Sequence, residues 1–292
     1  MPSTDTPGGD IITAISDLLQ ERIDQHDLEV PLLPEVAGKV VRLTQDPESE
    51  AADLAKLIQS DQTLAGQVMR VANSAAYSPS NSMVSLQQAI TRLGMKLIAE
   101  IALSASINGQ LFNTPGFESH VAYQIRHSLA AGLWAKEVAR ACRKNVEAAF
   151  LAGLLHDIGR PVAVQSALQV AKKLKLKPTK QNILSIEDAF QQQIGVAVVE
   201  KWEMPQSVCD SVKFFHNYSA EHGAQLQTMI VVGGAQVASH FMCEEDQIDA
   251  CMTLDELKAQ PVFGDLNLYP DQVDQLLEKE AQITSALEAM AS

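Results

Sequence analysis

His156 and Asp157 stand side by side at the end of an almost wholly apolar run, VEAAFLAGLL, in this chain of 292 residues. An imidazole next to a carboxylate can hold a cation, and it can equally lock two helices together as a satisfied core pair. Gly159 and Pro161 follow at once and read as helix-stopping residues, which puts Asp157 at a helix C-terminus. There the helix dipole disfavours a carboxylate. The preceding run offers no polar companion, and a buried charge without one costs several kcal/mol. A cation, the nearby Arg160 or backbone N–H donors could supply the partner. Local rules that conflict in this way concentrate at functional sites.

The elements that must position this pair read as helices almost throughout, and alternating strand patterns are nearly absent. Ile12, Ile15, Leu18, Leu19 and Ile23 share one face of a helix over 11–25. Pro31 and Pro34 interrupt the chain before a second helix. Asp61 reads as the N-cap of a helix over 62–73, and Ser85 with Gln88 as a capping box for a helix ending before Gly94. A long helix over 121–141 is apolar on two faces, so neighbours must enclose it. The run 146–155 is expected to be the most buried helix of all. Further helices read at 182–202, 206–216 and 221–243, with a linker holding Pro261, Gly264 and Pro270 before a last helix over 271–289. The expectation is an all-α, multi-helix bundle in two packed lobes. A disordered tail covers 1–10, the first lobe 11–115, the second 116–245 and a helical extension 246–292. The lobe junction is the natural place for a ligand cleft.

Charge and composition exclude several classes. The formal charge of −14 disfavours non-specific attraction to nucleic acid or anionic lipid. The one dense basic run, Lys172, Lys173, Lys175, Lys177 and Lys180, reads as a solvated helix face and loop. The first residues lack a basic and an apolar region, no apolar stretch is long enough for a membrane span, and the expected compartment is the cytoplasm. Cys142, Cys209, Cys243 and Cys251 form no C-x-x-C pair and read as buried free thiols. Trp134 and Trp202 read as core anchors, and His26, His120, His222 and His240 as surface or capping residues.

The His-Asp pair with an isolated His127 upstream resembles the HD superfamily of metal-dependent phosphohydrolases. PLLPEV, LIQSDQTLAGQVMRVANSAAYS, SLQQAITRLG and EKWEMP, in that order, narrow the resemblance to the HDOD family, the HD-related output domains, over roughly residues 25–240. The resemblance implies an HD-like helical core in the second lobe. It also implies a metal set of His127, His156, Asp157 and a distal carboxylate, whose place falls on Gln236, with Arg160 and His216 as phosphate contacts. A degraded set of this kind would hold at most one weakly bound divalent metal, Mn, Fe, Mg or Zn, because Gln236 offers a neutral oxygen where a carboxylate is usual. Gln191 and Phe215 take the places of histidines used by two-metal relatives, and the Gly-Tyr-Pro segment of cyclic-di-GMP phosphodiesterases is absent.

Three functions compete. The resemblance implies first a non-catalytic bacterial signalling module that binds a regulatory protein or a small ligand such as a nucleotide, with its input domain on a separate protein. Second is a residual metal-dependent phosphohydrolase. Third is a nucleic-acid binder through SLQQAITRLG, against which the acidic balance and the lack of base-reading clusters argue. No residue is assigned a catalytic role.

Overall fold

The computed structural model describes residues 8–46, 48–78, 82–108, 111–218, 225–243 and 252–291. Every regular element among them is helical. The first group is α1 (Gly8–Asp24), α2 (Glu35–Gln45), α3 (Ala51–Gln59), α4 (Gln62–Ala72), α5 (Leu86–Leu93) and α6 (Met95–Asn108). The second is α7 (Glu118–Ala141), α8 (Val146–Leu155), α9 (Gly159–Leu174), α10 (Lys180–Lys201), α11 (Gln206–Phe214), a 3-10 turn at Phe215–Asn217, and α12 (Leu226–Phe241). The chain ends in α13 (Leu254–Lys258), α14 (Pro261–Asp265), α15 (Pro270–Leu277) and α16 (Glu280–Ala291).

Local chemistry sets several boundaries. The Asp61 side chain accepts from Leu64 N–H and the Ser85 side chain from Gln88 N–H, as expected of both caps. Gln88 closes its box one residue further out, accepting from Val84 N–H. Gly94 ends α5 at φ +87°, a conformation glycine adopts without strain. The tail drawn over 1–10 is shorter at its inner end, because residues 8–10 are already helical; residues 1–7 lie outside the described residues.

The C-terminal reading is corrected. The segment read as a linker contains α13 and α14, and Pro261 and Pro270 open helices at their first turns rather than preventing them. The single last helix is two, separated at Glu278–Lys279. The break lets both α15 and α16 pack on α7, burying Val273 and Leu276 from one, and Ile283, Leu287 and Met290 from the other.

Helices α2 to α6 pack mainly among themselves, and α7, α8 and α12 form the centre of the second group. α1 precedes the first group in sequence yet packs on α9 and α10. Glycine makes the central approach possible: a Cβ on Gly153 would lie 2.7 Å from Gly132 Cα, and one on Gly234 2.6 Å from Ala135 N. α8 is less enclosed than expected. Val146, Glu147, Ala148 and Leu151 are only half-buried, because the start of the helix borders a cleft. Trp134 and Trp202 are buried, and Trp202 Nε1 donates to the Pro31 carbonyl at 2.8 Å, joining EKWEMP to the PLLPEV loop. Cys142 and Cys209 are free thiols, but Cys243 is in a disulfide, which corrects the reading of four free thiols; Cys251 lies outside the described residues.

Candidate functional site

Asp157 does follow α8, with His156 as the C-cap residue. The helix-stopping reading of what comes next is wrong, because α9 starts at Gly159 and carries Pro161 in its first turn. Asp157 thus lies just ahead of a helix N-terminus, where a carboxylate is favoured, and the expected conflict with the dipole is relieved. Glycine is required at the start of α9 for a packing reason. A Cβ at Gly159 would fall 1.8 Å from the Gln191 carbonyl oxygen on α10.

The structure brings His127, His156 and Asp157 together. The two imidazole centroids are 6.1 Å apart, and the Asp157 charge acts on both rings. His156 is 5% exposed, and its Nδ1 lies 2.7 Å from the Gly153 carbonyl, to which it must donate. Its Nε2 therefore carries the lone pair. His127 Nε2 lies 2.8 Å from Ser239 Oγ, and that hydroxyl gives its single proton to the Ala235 carbonyl at 2.9 Å. His127 Nε2 is then the donor and Nδ1 the free base. Burial pushes both imidazoles toward the neutral form, with the neighbouring His156 adding to the effect at His127, which falls from 6.5 to about 4. The Phe215 ring packs on His156 at 4.5 Å and His216 stands exposed beside it.

The partner of Asp157 is Arg160. Arg160 Nε lies 2.9 Å from Asp157 Oδ2, while its Nη1 reaches Glu187 Oε1 at 2.9 Å and Asp188 Oδ1 at 3.0 Å. Glu187 is 1% exposed and also takes hydrogen bonds from His120, at 2.7 Å, and from Gln124. His120, read from the sequence as a surface or capping residue, is part of this buried network. Glu187, Asp188 and Gln124 were not singled out at all. The one available signal was spacing: His120 and Gln124 share a face of α7 with His127, and Glu187 lies on the apolar side of α10. With three carboxylates around it, Arg160 is already neutralised, which counts against the phosphate contact expected of it.

The side-chain hydrogen bond of Gln236 runs to Gln260 and not to the pair. On α12 it lies away from Gly234, which packs on α7; its Nε2 donates to Gln260 Oε1 at 3.2 Å and its Oε1 is buried without a partner. Ser239 is the α12 side chain that reaches His127. The donors available to a metal are thus two neutral imidazoles, a hydroxyl and a carboxylate already bound by a guanidinium. Among the described residues no three His, Cys, Asp or Glu side chains converge as a metal-holding group. This set does not fit a divalent cation, since its one carboxylate is already paired with a guanidinium and the other donors are neutral.

Away from this pair a cleft of about 450 Å³ opens between α2 and α6 on one side and α8 and the start of α11 on the other. It lies at the junction where the sequence led us to expect a cleft, and shares no lining residue with the His-Asp site. No helix among the described residues is long and apolar enough to cross a membrane.

Comparison with known proteins agrees with this architecture. A candidate metal-dependent phosphohydrolase from Shewanella amazonensis superposes with a TM-score of 0.71 at 21% identity, covering 96% of this chain and 99% of its own. An HDOD domain protein of unknown function from Geobacter sulfurreducens gives 0.70 at 19%, covering 97% and 98%. A candidate signal transduction protein from Marinobacter aquaeolei gives 0.66 at 23%, covering 98% and 69%. An uncharacterized protein of Treponema pallidum is 22% identical over 213 residues, which are 70% of this chain and only 40% of that longer protein. Residues 30–218, well over half of the chain, match the HDOD domain, and the chain belongs to the HDOD family.

Proposed function

We propose that this chain is a non-catalytic output module of bacterial signal transduction, working in the cytoplasm by binding a regulatory protein or a small ligand. The observation that carries the reading is the Asp157–Arg160 pair at 2.9 Å. A hydrolase of the HD type uses its His-Asp carboxylate to hold a cation that activates water. Here the carboxylate's charge is met by the protein's own guanidinium, whose Nη1 is engaged by Glu187 and Asp188. The Phe215 ring packs against His156 and gives that imidazole an apolar neighbour. Partner binding in place of chemistry also suits a surface with a charge of −14, which favours selective contacts over adhesion to nucleic acid or anionic membrane.

A metal-dependent phosphohydrolase is the second reading, and one observation favours it. His127 Nδ1 and His156 Nε2 both carry lone pairs, on neutral rings 6.1 Å apart. The assay that separates the two is hydrolysis of cyclic-di-GMP and of a generic phosphodiester with Mn²⁺, Fe²⁺, Mg²⁺ or Zn²⁺ supplied in turn. The expected result is no turnover above the protein-free control. Metal-dependent turnover that disappears in Asp157→Asn would establish the enzyme instead.

A further inference from the structure

The junction cleft has a built polar end. Its walls are mostly apolar, formed by Val40 and Val41 of α2, Ala99 and Leu103 of α6, Phe150 of α8 and Val208 of α11. Into this wall the chain places Glu100, which is only 7% exposed. Its Oε2 is held by Lys136 Nζ from α7, and Lys136 is itself fixed over the Phe150 ring, 5.6 Å from the centroid. That arrangement orients the carboxylate of this cleft-lining residue, and among the described residues no protein group hydrogen-bonds to its Oε1. At the mouth a second carboxylate, Glu147, meets the mostly exposed Lys96 at 2.9 Å. Burial raises the Glu100 carboxyl above its usual range even though Lys136 opposes this.

We propose that this cleft is a binding site for an amphipathic amine, its apolar body against Val41, Leu103, Phe150 and Val208 and its ammonium on Glu100 Oε1. The chemistry is one of complementarity. An ammonium donates to a buried acceptor whose other oxygen is already held by Lys136. A carboxylate or phosphate ligand would instead meet Glu100 and Glu147. The volume lies within the usual range for small-molecule sites, roughly 300–1,000 Å³. A ligand here touches α2 and α6 on one side and α8 and α11 on the other. It would therefore fix the two helical groups against each other, on the same helix α8 that ends at His156. This rests on reading the chain as a binding module. The cleft and the His-Asp pair share no residue, so failure at the cleft would be separate from the outcome of the hydrolysis assay.

The test is calorimetric titration of the whole chain with n-decylamine below its micelle concentration, with n-decanoate as the charge-reversed probe. The expected result is saturable one-to-one binding of decylamine and at least tenfold weaker binding of decanoate. Glu100→Gln should weaken decylamine at least tenfold. Because this change also leaves Lys136 less well paired and could disturb folding, a second variant places bulk in the cleft from the half-buried start of α8. Ala148→Trp should abolish binding at an unchanged melting temperature, whereas Gly66→Ala, exposed on α4 away from the cleft, should bind as the parent does. Absence of saturable binding, equal binding of decanoate, or affinity unchanged in Ala148→Trp would overturn the proposal.

Discussion

His156 gives its Nδ1–H to Gly153 and His127 its Nε2–H to Ser239, so each ring is held in one tautomer by an ordinary hydrogen bond. These bonds, with burial, decide the acid response. His127 falls from 6.5 in the free side chain to about 4 in the folded chain. Between those values the unfolded chain binds more protons, so stability rises with pH across that window and is lost as pH falls through it. The loss saturates below the folded value at no more than about 3 kcal/mol for this residue. His156 shifts in the same direction, so His127→Gln should flatten part of the decline; an unchanged melting profile between pH 4 and 6.5 would contradict the assignment. The distal metal position can be tested in the same way. Gln236 faces Gln260, whereas Ser239 touches His127. Ser239→Asp should raise affinity for Mn²⁺ or Zn²⁺ tenfold or more, about 1.4 kcal/mol, and Gln236→Asp should leave it unchanged. Titration of both variants separates the positions, and a gain in Gln236→Asp alone would restore the alignment read from sequence.

At the scale of elements, periodicity and caps located nearly all helices, because apolar spacing and N-cap chemistry are local. The break inside the last helix was not legible, since nothing in the sequence at Glu278–Lys279 stops a helix and only α7 requires both halves. The start of α9 was misread for the opposite reason: Gly159 and Pro161 are stopping residues in general, yet Pro161 fits a first helical turn. Gly159 serves the packing of α9 on α10. Gly159→Ala should cost at least about 3 kcal/mol in denaturant unfolding, because its Cβ would strike the Gln191 carbonyl backbone. Gly66 on α4 is exposed with nothing within 4 Å of a Cβ, and Gly66→Ala should stabilise by ~0.5–1 kcal/mol. Similar effects at both positions would refute the packing account. The Arg160 network joins α7, α9 and α10. Arg160→Met should cost on the order of 3–5 kcal/mol by leaving the buried Glu187 and its neighbours uncompensated. A loss below about 1 kcal/mol would show that the pair contributes as little as a surface ion pair.

For the molecule as a whole, the His-Asp pair and its upstream histidine were legible in sequence as types and order. Arg160 was legible as one candidate partner of Asp157, three residues away; Glu187, Asp188 and His120 were not, because they join it only when α7, α9 and α10 pack together. The result is a family scaffold whose helices carry the pair to one place and whose own arginine answers its charge. The junction cleft borders α8 along residues 147–151 and the His-Asp pair follows its end, so the two occupy separate parts of one fold. The central claim is that Asp157 is held by protein and not by a cation. It is tested most directly by titrating the chelator-treated chain with Mn²⁺ and with Zn²⁺ and reading stoichiometry and affinity by calorimetry. The account expects no saturable site of micromolar or tighter affinity in the parent chain. One equivalent of metal bound in that range, and lost in Asp157→Asn, would contradict it.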